Sequence, residues 1–469
     1  MFATHIDLYQ LTSLIPHWEK GLAHEEVWMS FFSRRLPQTV QGEPVRDYLV
    51  WAGLGRCLST LQTLRFDDER IATLCEHPML GPALLARPNL IDTLRTWRFK
   101  GEVWSPAEGT LIWANQAQNE QGQPFEVKGV KPSAQTPYLQ IKTDLLSAKL
   151  IETPLLSIIN HMTMVASKSA RICTAAGDRP IYEFGSRRTH IEAAVDAAYA
   201  AYLGGCAASS NVEAAHRYQI PMVGTMDHFA VQAWESKDQP VTNTEYAFFK
   251  SFYEIYPESA ILLVDTYDMY SERGGIRAAV AATQGNLKGI RIDSDLTVEN
   301  ISNARTLLNE LGAIDAQIIV SGGIDEYKIK ELAGAPIDGF GVGEKLVTSS
   351  DAPVGVGAVG KLSRVGHKPT MKQATGTGKA TLPGPIQVFR GSKGDRVALL
   401  GTPARRGEIP LIEKVWETDE PVNLPQIDAT KAWVHDQRRT LYIPHRVYLD
   451  DQLVETISRL VTSAHVHGK

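Results

Sequence analysis

Gly224-Thr225-Met226-Asp227-His228 places an imidazole and a carboxylate side by side. They follow the apolar run Pro221-Met222-Val223, which reads as a buried strand, and precede a helix expected over Phe229–Glu235. The C-terminal ends of parallel strands are where α/β enzymes keep reactive side chains. A lone histidine there is more often a hydrogen-bonded structural residue. At least four other apolar runs, however, end in polar residues of matching kinds. Glu183-Phe184-Gly185-Ser186-Arg187-Arg188 carries two guanidiniums, suited to phosphate or carboxylate by their fork geometry or to surface ion pairs. Leu262-Leu263-Val264-Asp265-Thr266-Tyr267-Asp268 ends in two carboxylates, and Asp265 either faces a functional surface or caps a helix. In Ile290-Arg291-Ile292-Asp293-Ser294-Asp295, alternation puts Arg291 and Asp293 on one face, with Ser294 or Asp295 placed to cap the next helix.

Two glycine turns follow the last two apolar runs, Ser321-Gly322-Gly323 and Gly339-Phe340-Gly341-Val342-Gly343. Glycine lets backbone N–H groups approach a phosphate closely, and loops after the last strands of a barrel commonly hold one. Neither turn is a GxxxxGK[ST] loop, nor a GxGxxG after a first strand, so the usual nucleotide folds are not indicated. There is no GxSxG nucleophile and no HExxH zinc spacing. The inventory suits a phosphorylated sugar, a developing positive charge, and Mg²⁺ held by phosphates and carboxylates.

The elements that must position these groups alternate through residues 151–345. Helices are expected at Ser157–Ala176, Ile191–Leu203, Asn243–Tyr256, Gly274–Thr283, Val298–Leu311 and Glu326–Ala333. Between them lie strands at Ile181–Phe184, Ile261–Val264, Gly289–Ile292, Gln317–Val320 and Gly339–Val342. This βα alternation implies parallel strands with helical crossovers, in a barrel or a doubly wound sheet. Residues 1–150 are mixed, with a strand at Val27–Phe32, helix at Leu58–Leu64 and Arg70–Leu74, and exposed loops at Gln38–Pro44 and Asn119–Pro124. Residues 350–469 lose the alternation. They carry glycine-rich loops at Gly355–Gly360 and Gly376–Gly384, strands at Ile386–Arg390 and Arg396–Leu400, and a closing helix at Leu453–Ala464.

With 469 residues, 43% hydrophobic and 22% charged, the chain can build two or three domains with sizeable cores. A net charge of −5 argues against non-specific nucleic-acid binding without excluding a local basic pocket. Cys57, Cys75, Cys173 and Cys206 form no CxxC and read as reduced, buried thiols of a cytoplasmic protein. No apolar run reaches membrane-spanning length, and the N-terminus does not read as a signal peptide.

From about residue 4 to residue 391 the chain resembles the nicotinate phosphoribosyltransferase family. The likeness begins at Asp7-Leu8-Tyr9-Gln10-Leu11-Thr12, then Glu152-Thr153-Pro154-Leu155-Leu156 with Asn160, then Ala166–Arg171. Glu183–Arg188, Ser209-Ser210-Asn211-Val212, Gly224–His228, Val264–Asp268, Ser321–Gly323, Gly339–Gly343 and Lys379-Ala380-Thr381-Leu382-Pro383-Gly384 follow in the family's order. The resemblance implies transfer of a phosphoribosyl group from phosphoribosyl pyrophosphate to nicotinate, with Mg²⁺, in NAD salvage. ATP hydrolysis would be coupled through a phosphohistidine at His228. It also implies an irregular parallel α/β barrel over 151–349, beside an α+β domain built from 1–150 and 350–469, as a homodimer with shared active sites. Phe184 would stack on the pyridine ring from one side and Tyr9 of a second copy from the other. Arg187 and Arg291 would hold carboxylate or phosphates, Asp293 would contact the ribose, and Asp265 would orient His228. Ser321, Gly322, Gly323, Gly341 and Gly343 would hold the 5′-phosphate.

The chain departs from the family at three points. Asp293-Ser294-Asp295 lacks the glycine of the usual Asp-Ser-Gly-Asp. Asp227 precedes the histidine where close relatives have a small residue and the amide-using ones an acid. Glu344 replaces a common threonine. Amide-using relatives also place an aspartate near Ser210, where a neutral hydroxyl avoids repelling a carboxylate, so nicotinate is expected. The alternatives are a nicotinamide- or quinolinate-using relative and a non-catalytic protein that binds pyridine nucleotides.

Overall fold

The computed structural model describes residues 2–38, 45–234, 241–349, 351, 355–376, 378–441 and 445–466. Of the expected Gln38–Pro44 loop, residues 39–44 lie outside these, as does Glu235. The chain divides into two compact units, Met1–Met164 with Ala352–Lys469, and Val165–Asp351. Among the described residues no helix is long and apolar enough to cross a membrane. Cys57 and Cys206 are buried, whereas Cys75 and Cys173 are only partly so, and none of the four is in a disulfide.

The Val165–Asp351 unit holds a six-stranded parallel sheet. Its spatial order is Ile261–Leu263, Gly289–Ile292, Gln317–Ser321, Gly339–Val342, Ile181–Glu183 and Ala208–Ser209. Leu262, Leu263, Ile290, Ile292, Ile318, Val320, Phe340 and Val342 are all buried, the run of apolar side chains that a parallel strand needs when both faces are covered. Helices Ile191–Gly204, Val241–Ile255, Gly275–Ala282, Val298–Glu310 and Glu326–Glu331 lie between the strands in sequence, within a few residues of their expected bounds.

Residues 221–223 are not a buried strand. Pro221 and Met222 are exposed, and the segment makes a single bridge, between Met222 and Ser209. Ser209 N–H donates to the Pro221 carbonyl at 3.0 Å, and Val223 N–H donates to that of Ser209 at the same distance. Further along, Met226 Sδ accepts the Leu263 N–H at 3.4 Å. The barrel is thus closed irregularly by chain 221–226. Pro221 has no N–H for a ladder, which keeps this segment from becoming a regular strand.

Helix Leu145–Ala176 runs twelve residues further towards the N-terminus than expected and passes through Pro154. Proline inside a helix removes a hydrogen bond and costs about 3 kcal/mol. Burial of Leu146, Leu150, Ile151 and Leu155 on the apolar stripe offsets it. The C-terminal part carries Lys168, only 1% exposed, whose Nζ lies 2.7 Å from Glu326 Oε2 and 2.8 Å from Asp351 Oδ1. Arg171 Nε donates to Glu326 Oε1 at 3.0 Å.

The other unit pairs strands antiparallel in the order Lys368–Pro369, Ala358–Val365, Glu26–Ser33, Leu139–Asp144, Gly101–Ser105 and Glu413–Glu417. Its core gathers Phe31, Trp51, Leu58, Tyr138 and Leu150. A second sheet contains Ile386–Gly391 and Gly394–Leu399, and helix Asp451–Val466 ends the described chain. The helix Leu8–Thr12 carries Tyr9, and its Gln10, 1% exposed, donates to Glu152 Oε2 at 3.4 Å and accepts from Thr153 Oγ1 at 2.9 Å. The Asp7–Thr12 and Glu152–Leu156 motifs therefore meet.

Removing one partner of a buried ion pair strands the other charge. Lys168→Met is expected to lower the free energy of unfolding by about 3 kcal/mol in a urea titration, since Glu326 and Asp351 then lose the buried ammonium that both face.

Candidate active site

The groups singled out in sequence converge at the strand ends of the Val165–Asp351 unit. Asp265, two residues past its strand, turns one carboxylate oxygen to the neighbouring strand end. Oδ2 accepts Asp293 N–H at 2.7 Å, Ser294 N–H at 2.8 Å and Ser294 Oγ–H at 2.7 Å. Oδ1 is buried with no hydrogen-bond partner among the described residues. Asp293 in turn accepts the Ser321 hydroxyl on Oδ1, while Oδ2 faces His228 Nε2 at 3.9 Å.

Thr266, rather than Asp265, takes the other side of the histidine: its Oγ1 lies 3.0 Å from His228 Nδ1. Both residues follow the same apolar run, so nothing in the sequence separates them. His228 is the first residue of helix His228–Ala233, and Asp227 is its N-cap, accepting Ala230 N–H at 2.8 Å. The unusual acid before the histidine is thus occupied with a helix end.

The shortened Asp293-Ser294-Asp295 turn is accommodated by Asp295 itself, at φ +47°. Aspartate tolerates the left-handed region better than most residues, so it stands in for a glycine. Neither Ser294 nor Asp295 caps the next helix. Thr297 does, accepting Asn300 N–H at 3.1 Å.

Phe184 is half-buried and held by its N–H to the Val342 carbonyl at 2.8 Å. A Cβ on Gly341 would sit 2.5 Å from the Phe184 ring, so the last glycine turn makes room for that ring. Ser210 lies on the adjacent strand end, and its N–H donates to the Glu183 carbonyl at 2.9 Å. Arg291 Nη1 donates to the Met226 carbonyl at 3.0 Å, and Arg291 Nε is buried without a partner. Burial pulls the Arg291 pKa down, Asp293 and Asp265 push it back up, and the nearby Arg187 charge adds to the lowering. Arg187 is exposed. Glu344 is exposed, 3.6 Å from Arg188.

Gly322 and Gly323 are open to solvent at φ +92° and +66°. Gly343 precedes the short helix Glu344–Val347. Tyr9 belongs to the other unit and is 55% exposed, its phenol pKa raised by partial burial and by the Glu152 and Asp7 carboxylates. A cavity of about 790 Å³ is lined by Thr225, Met226, Asp227, Phe248, Phe252 and Tyr256. Phe184, Arg291 and Asp293 are not among the described residues that line it, and it adjoins the convergent set through the Gly224–Asp227 segment that leads into His228.

Two family models cover most of the chain: the nicotinate phosphoribosyltransferase N-terminal domain matches residues 4–160 and the nicotinate phosphoribosyltransferase family matches residues 180–388. The chain belongs to the nicotinate phosphoribosyltransferase family. A Mycobacterium tuberculosis nicotinate phosphoribosyltransferase is 38% identical over 369 residues, covering 79% of this chain and 74% of that protein. One from Bacillus subtilis is 34% identical over 414 residues, covering 84% and 76%. The fold is that of the human nicotinic acid phosphoribosyltransferase crystal structure, with TM-score 0.76 over 97% of this chain and 99% of that one at 22% identity. Of the motifs in the Val165–Asp351 unit, Glu183–Arg188, Ser209–Val212, Val264–Asp268 and Ser321–Gly323 lie at or just after strand ends, whereas Ala166–Arg171 lies within helix Leu145–Ala176.

The two glycines of the Ser321–Gly323 turn separate backbone strain from steric contact. A Cβ on Gly322 would strike the Asp293 carbonyl, whereas none of the surroundings of Gly323 lies within 4 Å. Gly323→Ala is expected to cost about 1 kcal/mol from the left-handed backbone alone, and Gly322→Ala at least about 2 kcal/mol, compared by chemical denaturation.

Proposed function

We propose that this chain transfers the phosphoribosyl group of phosphoribosyl pyrophosphate to nicotinate, coupled to ATP hydrolysis. The pyridine nitrogen forms the bond to C1′ as the bond to pyrophosphate breaks, giving nicotinate mononucleotide. The observation that carries the reading is the convergence of His228, Thr266, Asp293 and Ser321 on one strand-end face, beside the exposed glycines Gly322 and Gly323.

In this reading Phe184 presents an aromatic face to the pyridine ring. The neutral Ser210 hydroxyl accepts a carboxylate neighbour without repulsion. Arg187 and Arg291 bind the nicotinate carboxylate or the phosphates, with Arg291 pre-oriented by its bond to Met226. Asp293 stabilises positive charge developing at the ribose. The turns at Ser321, Gly322, Gly323, Gly341 and Gly343 take the 5′-phosphate on backbone N–H groups.

Among the described residues no group of three or more His, Cys, Asp or Glu converges on a metal position. That suits Mg²⁺, which binds mainly through substrate phosphates and one or two carboxylates. Asp265, with Oδ1 unpartnered, and Asp293 are the residues that would hold it. When bound, it neutralises charge on the leaving pyrophosphate. The ATP step rests on His228. With Nδ1–H donated to Thr266, Nε2 keeps its lone pair; it attacks the terminal phosphorus of ATP, ADP leaves, and water later releases phosphate.

The features that kept other readings open have structural explanations here. Asp227 caps a helix, and Asp295 supplies the turn that the missing glycine would have made. The deciding assay gives the protein phosphoribosyl pyrophosphate and Mg²⁺ with nicotinate, nicotinamide or quinolinate, with and without ATP. Product from nicotinate, increased by ATP, is expected; product from nicotinamide or quinolinate instead, or from none of the three, would sink the reading. His228→Ala should abolish ATP hydrolysis and the ATP stimulation while leaving some ATP-independent transfer. Unchanged ATPase activity would remove the histidine from this role. If Tyr9 of a second copy completes the site, Tyr9→Ala should raise the KM for nicotinate about tenfold through loss of one ring face. A fully active monomer on a sizing column rejects that arrangement.

A further inference from the structure

Glu183 is a carboxylate of the strand-end face to which the reading above gives no part. It is 1% exposed, and no cationic side chain among the described residues forms a salt bridge with it. One oxygen accepts the Gly185 N–H, and the other accepts the Ser209 hydroxyl at 2.6 Å. Ser209, itself fully buried, receives the Asn211 N–H on the same Oγ at 3.0 Å. Asn211 Nδ2 donates to Ser186 Oγ at 3.0 Å, and the Ser210 N–H donates to the Glu183 carbonyl at 2.9 Å. One buried carboxylate therefore clasps two turns. The first, Phe184–Ser186, carries the ring; the second, Ser209–Asn211, carries Ser210. Burial raises the Glu183 pKa above the usual carboxylate value, and the Ser209 and Gly185 bonds offset part of that rise, so both turns favour the ionised form.

We propose that Glu183 is a positioning residue for substrate selection, holding the Phe184 ring and the Ser210 hydroxyl in fixed register so that the site accepts a pyridine carboxylate and discriminates against the carboxamide. The inference rests on the proposed transferase reading and extends it to specificity. Discrimination between two isosteric headgroups requires polar partners held within a few tenths of an ångström. A buried, doubly engaged carboxylate provides that rigidity to both turns. Asp293 and the Ser321–Gly323 turn sit on other strand ends, whereas Gly341 and Gly343 abut Phe184, so losing the clasp weakens phosphoribosyl pyrophosphate binding less than nicotinate binding.

The experiment compares wild type with Glu183→Gln, Glu183→Ala, Ser209→Ala and the Glu183→Gln/Ser209→Ala double variant. It measures kcat and KM for nicotinate, nicotinamide and phosphoribosyl pyrophosphate, with thermal unfolding alongside. Ser209→Ala is expected to raise the nicotinate KM and narrow the preference for nicotinate over nicotinamide by about tenfold, with the phosphoribosyl pyrophosphate KM changed less than about twofold. Glu183→Ala should do more. Glu183→Gln should do less, because an amide still accepts from Gly185 and can donate to Ser209. The double variant should be less than additive, as expected for one network. If Glu183→Ala does not fold, Ser209→Ala and Glu183→Gln still decide. Folded variants of these two with unchanged nicotinate KM and selectivity, or with both substrates' KM values rising together, overturn the positioning role. A wild-type protein that makes no nicotinate mononucleotide overturns the transferase reading, and the selectivity role with it, before any variant is compared.

Discussion

The strand-end face depends on one carboxylate that accepts three hydrogen bonds. Asp265 Oδ2 binds two backbone N–H groups and a hydroxyl of the 293–294 turn, and so ties the end of one parallel strand to the end of the next. Parallel strands end together but their turns are short and separately flexible. Without a link between neighbours, Asp293 could not be aimed at His228. An ionised oxygen accepting several N–H groups is among the stronger neutral-to-charged contacts available, because the charge is solvated by the protein in place of water.

The same device recurs around the barrel. Ser321 donates to Asp293, Thr266 meets His228, and Glu183 gathers Gly185 and Ser209. Apart from Glu183–Gly185, which lies within one strand end, each of these bonds joins groups on adjacent strand ends or on the irregular 221–228 segment. The apolar strand interiors, Leu262, Ile290, Ile318 and Phe340 among them, carry the burial energy and leave the ends free for polar residues. The site is therefore a ring of neighbour-to-neighbour contacts on a rigid apolar base.

Two local anomalies show how that ring tolerates sequence change. A turn one glycine short survives because Asp295 adopts the left-handed conformation, and its carbonyl then accepts Thr297 N–H at 2.9 Å and Asn300 Nδ2 at 3.0 Å. An acid beside His228 is harmless because helix His228–Ala233 begins there and needs a cap. In the first case an aspartate expected as a helix cap makes the turn instead, and in the second an aspartate that pointed to substrate choice caps a helix.

Much of the catalytic unit was legible without coordinates. Alternating apolar runs and amphipathic stretches marked five of the six strands and their helices, because a two-residue and a 3.6-residue period are set by backbone geometry alone. The ordered motifs marked the family, since side-chain chemistry at strand ends is written directly in residue type. Pairing across the fold was not legible. Thr266 rather than Asp265 beside His228, the Lys168–Glu326–Asp351 group, and the exposed irregular course of 221–223 all depend on which distant segments meet. The sequence by itself determined the elements, the apolar base and the kinds of group at its rim. Only the tertiary structure decided which of those groups touch, because hydrogen-bond partners tens to hundreds of residues apart are chosen by packing and carry no local period.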